Sequence, residues 1–222
     1  MPHTKPPHES NAAPQSTMTT RMTDGVDRNQ PAYWDRRFAE AGYAYGVAPN
    51  DFLVSALPKL TRGAALCLCE GEGRNAVHLA LNGFAVTAVD FSEVGLQKAI
   101  TLATSRGVGI ATECADLADF APGVGKWDVI TMIFGQPEPA VRAALYARIA
   151  RALRPGGAFV LETKVEAGAD GASRYPGSAV LQGELVGLDF RVAHDLTRAL
   201  TEGRYHKGEQ HVAQILAMKP IG

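Results

Sequence analysis

The sequence predicts an α/β protein built on a doubly wound, mostly parallel sheet, and three observations carry that expectation. From Ala64 onward, short apolar runs rich in Val, Ile and Ala alternate with stretches of helical periodicity, as in successive strand–helix–strand units. A glycine-rich segment, CEGEGRN, joins the first of these runs to the first helical stretch. Two β-like runs near the end, DFRVAHDLTRAL and HVAQILAMKP, are separated by EGRYHKGEQ, which leaves no room for a crossover helix, so they pair as an antiparallel hairpin.

Taken in order, residues 1–30 are rich in Pro, Ser, Thr and Asn without the apolar core of a signal peptide, and read as a disordered extension in which Met18 and Met22 are alternative translation starts. PAYWDRRFAEAG reads as a short helix whose Trp34 and Phe38 share an apolar face and which Gly42 ends. YAYGVAPN is a loop, and DFLVSALPKL is helical until Pro58. Residues 31–60 therefore precede the sheet, where they either form a lid or pack against the domain edge. ALCLC is the first strand, followed by a helix from Arg74 to Asn82 with Val77 and Leu81 on one face and Gly83 as its stop. FAVTAVD is the second strand. Ser92 caps a helix carrying Leu96, Ala99, Ile100 and Ala103 at helical spacing, ended by Gly107, and GIATECAD supplies the third strand. WDVITMIF is continuously apolar, as a strand covered on both faces must be. Pro137 opens a helix lined by Val141, Leu145, Ile149 and Leu153, and RPGG turns the chain into AFVLET, the fifth strand. With the hairpin this makes a Rossmann-like doubly wound seven-stranded mostly parallel sheet with a C-terminal antiparallel hairpin, in a single domain over 31–222.

The chain has 222 residues, 46% apolar and 20% charged, and a net charge of −1. That composition suits one soluble domain and provides no basic field for nucleic acid or an anionic membrane surface. No run approaches the roughly 18 apolar residues of a membrane helix. Three cysteines, Cys67, Cys69 and Cys114, are too few and too strand-bound for a disulfide framework, which fits a cytoplasmic protein. Cys67 and Cys69 share a strand face, but the spacing is not that of a zinc pair, so the two read as small buried side chains and no metal is expected.

The functional signal lies between Ala64 and Asp90. A glycine loop lets a ligand approach the backbone, and an acid closing the next strand accepts hydrogen bonds from ribose hydroxyls. Glu70 and Glu72 flank Gly71, so a pyrophosphate would meet like charge there while a cation would be attracted. The loop therefore favours S-adenosylmethionine, which carries a sulfonium and no phosphate, over NAD. Because Gly71, Gly73 and Ala76 satisfy GxGxxA, an NAD-dependent oxidoreductase is the alternative enzyme. A protein that only binds S-adenosylmethionine without catalysis is the third reading.

YGVAPN, CEGEGRNAVHLA, TAVDFS, CADLADF, LRPGGAFVLE and EGRYHKG, in that order between Tyr33 and Lys219, make the sequence resemble class I S-adenosylmethionine-dependent methyltransferases, and within them the tellurite-resistance-type, small-molecule or thiol methyltransferases. The resemblance implies that Glu70, Gly71 and Gly73 line the methionine half of the cofactor, with Asn75 below, and that Asp90 holds the ribose. It places Phe91 beside the adenine and Asp116 with Leu117 at the adenine edge. The chain departs from the family pattern in having Cys67 and Cys69 where an acid and a glycine are usual, which leaves open the carboxylate that meets the ammonium group. It also has Gly135-Gln136 in place of Cys-His after the fourth strand. Gln136-Pro137-Glu138 lacks the Asn or Asp before Pro-Pro-aromatic of amino-methylating relatives, so S-, Se- or Te-methylation of a small acceptor ranks above nucleic-acid N-methylation, with O-methylation open. Cationic side chains gather in loops expected to face the site: Arg74, Arg204, His206 and Lys207, joined by Arg36 and Arg37. Of these, Arg204, His206 and Arg74 are expected to hold an anionic or polar acceptor, with His206 as general base if the acceptor carries a proton. The expected assembly is a monomer or homodimer.

Overall fold

The computed structural model describes residues 29–166 and 175–221. The expected N-terminal extension and its two internal methionines fall almost wholly outside the described residues.

Seven strands form one sheet: β1 (Ala64–Leu68), β2 (Ala85–Asp90), β3 (Ala111–Cys114), β4 (Trp127–Ile133), β5 (Leu153–Lys164), β6 (Asp189–Glu202) and β7 (His206–Met218). Their spatial order is β3-β2-β1-β4-β5-β7-β6, with the first five parallel and β7 antiparallel to both neighbours, as the sequence predicts. Between them lie α1 (Pro31–Phe38), α2 (Asp51–Ala56), α3 (Arg74–Leu81), α4 (Glu93–Ser105), α5 (Pro139–Ala152) and α6 (Ser178–Glu184). Alternation along the central strands builds two core layers. Leu66, Leu68, Ile130 and Met132 face Leu145, Tyr146 and Ile149 of α5, whereas Ala65, Cys67, Val129 and Ile133 face Phe52 and Leu53 of α2 and Ala76 and Leu79 of α3. Each large apolar side chain so buried stabilises the fold by about 1.5–3 kcal/mol relative to exposure.

Several local expectations need correction. Val77 is buried against Leu102 and Ala103 of α4, but Leu81 is 50% exposed, because α3 turns Ala76 and Leu79 to the sheet. Ile100 is exposed for the same reason on α4. Helix α5 opens at Pro139, not Pro137. Leu153 and RPGG are drawn into β5, where Leu153 pairs with Trp127 and the ladder shifts register before Val129 meets Ala158. Cys114 is exposed because β3 is the sheet's edge strand, and Cys69 does not share a face with Cys67: its φ of 52° turns it off the alternation, toward the opposite core layer. Helix α6 was not anticipated; it buries Leu181 on the α5 side of the sheet.

The hairpin turn is much tighter than EGRYHKGEQ suggests. Strands β6 and β7 span 14 and 13 residues and leave only 203–205 between them. That extension carries the turn to the chain preceding α2, where Arg204 N–H donates to the Ala44 carbonyl at 2.9 Å. The approach is backbone to backbone, since a Cβ on Gly203 would lie 2.4 Å from the Gly46 nitrogen. Helix α1 docks on the glycine loop through Phe38, whose ring occupies the space a Cβ on Gly71 or Gly95 would need.

Candidate functional site

The carboxyl ends of β1, β2, β4 and β5 open on one cavity of about 470 Å³, within the range of small-molecule sites and at the place where sheets of this topology bind ligands. Its floor is the loop after β1. Cys69 leaves the strand at φ 52°, and Phe134, after β4, adopts φ 55°, a conformation that costs a non-glycine residue about 1–3 kcal/mol. Both strained residues line the cavity.

Glu70 is the central feature of the loop. Its Oε1 accepts the N–H groups of Asn75 at 2.9 Å and Ala76 at 2.8 Å, so the chain's own carboxylate occupies the anion site at the start of α3. Burial pushes its pKa up to about 7, against those two N–H groups and Arg74. Glu72 turns elsewhere, accepting the Ala44 N–H at 2.7 Å and pairing with Lys98 at 2.9 Å. Asp90 accepts the N–H groups of Gly71 and Ser92, both at 2.9 Å, and burial raises it to about 6. Asp116 is exposed and accepts the Ala118 N–H at 2.9 Å; the neighbouring Leu117 is buried.

Of the expected cofactor residues, Glu70, Gly71, Asn75, Asp90, Phe91, Asp116 and Leu117 all line the cavity. Gly73 does not. It caps α3 at φ 90°, where a Cβ would lie 2.5 Å from that of Ala99, so its role is to let α3 and α4 meet. Asn75 also holds the wall, its Oδ1 accepting the Asn50 N–H at 2.9 Å.

The expected catalytic group separates. His206, at the start of β7, lines the cavity with its ring between Tyr45 and Phe134, each centroid 4.5 Å away. Its Nδ1 is buried without a hydrogen-bond partner and lies 3.7 Å from Glu202 Oε2. Burial lowers its pKa, assisted by the charges of Lys164 and Arg74 and opposed by Glu202, so the imidazole is neutral at pH 7. Arg74 also lines the cavity but is committed, donating to Glu202 Oε2 at 2.6 Å. Arg204 does not reach the site: it is drawn outward to the Ala41 carbonyl at 2.7 Å and Glu40 at 3.2 Å. Lys207 and Arg36 are likewise exposed and off the cavity, whereas Arg37 lines it with its guanidinium 3.7 Å from the Tyr205 ring centroid.

Behind His206 lies a buried network that sequence reasoning missed. Fully buried Glu162 of β5 accepts from Arg198, Gln214 and Asn50, the last at 2.9 Å. Glu202 accepts from Arg198 at 2.9 Å, Asn50 at 3.1 Å and Arg74. Burial alone would raise Glu202, but His206, Arg74 and Arg198 outweigh it and pull it down to about 2. Asn50 additionally caps α2 through the Leu53 N–H, so its side chain ties the segment before the sheet to β5 and β6 while its backbone N–H ties it to α3. One signal was available: Glu162 interrupts an otherwise apolar strand.

Among the described residues, six carboxylates and three cationic side chains line the cavity. With Glu70 already on the α3 N–H groups, a pyrophosphate has no donors to meet there, while a cationic nucleoside is favoured. The residues present fit S-adenosylmethionine. Among the described residues no helix is long and apolar enough to cross a membrane.

A search of curated protein sequences finds no relative. Residues 65–157 match the family model of a methyltransferase domain. Solved structures share the fold at low identity. One, from work on the conversion of a disulfide bond into a thioacetal group during echinomycin biosynthesis, is 19% identical, with 86% of this chain and 90% of that one covered and a TM-score of 0.69. TehB from Haemophilus influenzae is 16% identical over 85% of this chain and 66% of its own, with a TM-score of 0.65. The N-methyltransferase NodS from Bradyrhizobium japonicum is 15% identical over 76% and 92%, with a TM-score of 0.57.

Proposed function

We infer that this chain, an enzyme whose residues 65–157 are a methyltransferase domain with S-adenosylmethionine as its cofactor, transfers the methyl group to a small, soft nucleophile of thiol or tellurium/selenium oxyanion type. When bound, the cofactor supplies a methyl carbon made electrophilic by its sulfonium. The observation that carries the cofactor reading is Glu70, whose carboxylate sits on the α3 N–H groups and makes the glycine loop hostile to a dinucleotide. Glu70, Gly71 and Asn75 would hold the methionine half, Asp90 the ribose, and Phe91, Asp116 and Leu117 the adenine. Phe38 on Gly71 and the aromatic rings around His206 exclude water, which in-line methyl transfer requires. His206 takes the proton of an acceptor that carries one, and Arg74 acts through Glu202 instead of touching the acceptor.

Support for a soft acceptor comes from the resemblance to thiol and tellurite methyltransferases and from the neighbour associated with disulfide-to-thioacetal chemistry. We read residues 31–222 as one domain in which 31–60 closes the cavity, acting in the cytoplasm as a monomer or homodimer; Cys67, Cys69 and Cys114 are all free thiols, which fits a reducing compartment. Calorimetric titration separates the cofactors: S-adenosylhomocysteine binds and NADH does not. A labelled-methyl screen of tellurite, selenite, thiols and small phenols, with capture of volatile products, tests the reaction. Binding of S-adenosylhomocysteine with no transfer to any acceptor refutes the catalytic reading in favour of a cofactor-binding protein.

A further inference from the structure

Thiol and oxyanion acceptors make opposite demands on the cavity, and three features distinguish them. The first is charge. An oxyanion needs uncommitted cations, yet of the three among the described lining residues Arg74 is paired with Glu202 and Arg37 lies over the Tyr205 ring, and Lys164 shares the lining with Glu70, Asp90 and Asp116. The second is the aromatic lining around His206, where the Tyr45 and Phe134 rings flank it and Tyr205 and Trp34 pack on Tyr45, a surface suited to a flat apolar body. The third is the disposition of His206. Its buried Nδ1 is directed at Glu202, the carboxylate anchored by Arg74, Arg198 and Asn50, and this reserves Nε2 for the acceptor. An acceptor that arrives already ionised has no use for such a base.

We propose that the acceptor half of the cavity takes a neutral thiol carried on an aromatic body, with His206 as the base and Glu202 as the residue that positions it. The proposal rests on the methyltransferase reading above. In the reaction the S–H bond breaks and its proton passes to His206 Nε2. The electron pair left on sulfur forms the new S–CH3 bond while the methyl's bond to the sulfonium breaks, that pair staying on the donor sulfur. The imidazolium then releases its proton to water. A thiol suits this base better than a phenol does: ordinary values of about 8.5 and about 10 leave the phenol the less matched to a histidine below about 6.5. The groups that set the titration of His206 are Glu202 of β6, Arg74 of α3 and Lys164 of β5, with the Tyr45 and Phe134 rings on either side.

The test uses the full chain, labelled S-adenosylmethionine and three probes: phenylmethanethiol, 4-nitrobenzenethiol and sodium tellurite. Both thiols are methylated in preference to tellurite. His206→Ala lowers kcat about 100-fold or more with phenylmethanethiol. With 4-nitrobenzenethiol, whose S–H is far more acidic, the loss is smaller by about tenfold. Glu202→Gln lowers kcat more than it changes KM and shifts the rising limb of the pH profile. In the unmodified chain that limb reports His206 with phenylmethanethiol and flattens with 4-nitrobenzenethiol, which is already ionised over the range in which the imidazole titrates. Titration with S-adenosylhomocysteine identifies any variant that fails to fold, and the profiles of the unmodified chain then decide alone. Equal losses on the two thiols, a phenylmethanethiol limb that follows that thiol's own acidity instead of His206, or preferred methylation of tellurite overturns the proposal while leaving methyl transfer intact. S-adenosylhomocysteine binding with neither thiol methylated also overturns it; absence of both binding and transfer overturns the methyltransferase reading as well.

Discussion

The affinity of the protein for S-adenosylmethionine should rise with pH between 6 and 8, and Glu70 should be the reason. Its carboxyl, raised to about 7 by burial, is about one-tenth ionised at pH 6 and about nine-tenths ionised at pH 8. A cationic ligand favours the ionised form, so binding expels the proton and tightens as the proton becomes easier to remove. If the cationic cofactor binds only the ionised form, affinity increases about tenfold over that interval, or about 1.4 kcal/mol. Asp90, raised to about 6, adds up to about twofold as it completes its ionisation. Glu70→Gln, which keeps an oxygen for the Asn75 and Ala76 N–H groups, should leave only the Asp90 component. Calorimetric titration in matched-ionisation buffers measures both curves. An affinity that is flat or weakens from pH 6 to 8, or a Glu70→Gln curve as steep as the unmodified one, refutes the electrostatic account. Without cofactor the sign reverses: a carboxyl raised on folding contributes stability that is present below its ordinary value and lost as pH rises through about 7, so Glu70→Gln should melt higher than the unmodified chain at pH 8.

Three further outcomes follow from the same geometry. Asp90→Ala strands the Gly71 and Ser92 N–H groups and removes the carboxylate proposed to hold the ribose, so affinity for S-adenosylhomocysteine by calorimetry should fall about tenfold or more. Gly71→Ala places a Cβ 2.8 Å from the Phe38 ring at φ 60°; it should lower stability by about 1–3 kcal/mol in thermal unfolding and weaken cofactor binding with it. Arg198→Met leaves fully buried Glu162 without its ion pair, a loss of about 3–5 kcal/mol by chemical denaturation, and adding Glu162→Gln should recover part of that.

The parts of this architecture set by local pattern were readable from the chain. WDVITMIF announces a strand covered on both faces, and Ser92 caps α4 through the Gly95 N–H. The glycine loop and Asp90 meet at the cavity because topology brings the ends of β1 and β2 together. Errors arose where tertiary pairing overrides local signals. Leu153 has helical spacing with Ile149, but its ladder to Trp127 makes it strand. RYHKG looks like a solvated turn, yet long β6 and β7 carry His206 inward while Arg204, two residues earlier, points out. The network of Asn50, Glu162, Arg198, Glu202 and Gln214 was invisible for a different reason: apart from Arg198 and Glu202, which share β6, its members lie on separate elements that no spacing relates. Cys69 shows the converse, since a positive φ in a non-glycine residue leaves no mark in a string of letters.

The contact between Gly46 and Gly203 bears on the order in which the molecule assembles. These two backbones come from opposite ends of the described chain and touch with no side chain between them. The segment carrying Tyr45 already bonds Glu72 through the Ala44 N–H, but its contact with the turn waits until β6 and β7 have joined the sheet, and such long-range closure comes late in folding. A nascent chain that has just completed β5 already holds the glycine loop and Asp90, yet lacks a finished chamber. Maturation of the catalytic space is thereby deferred to the last strands synthesised, and shortened polypeptides ending before β7 should remain inert even where their parallel core is sound.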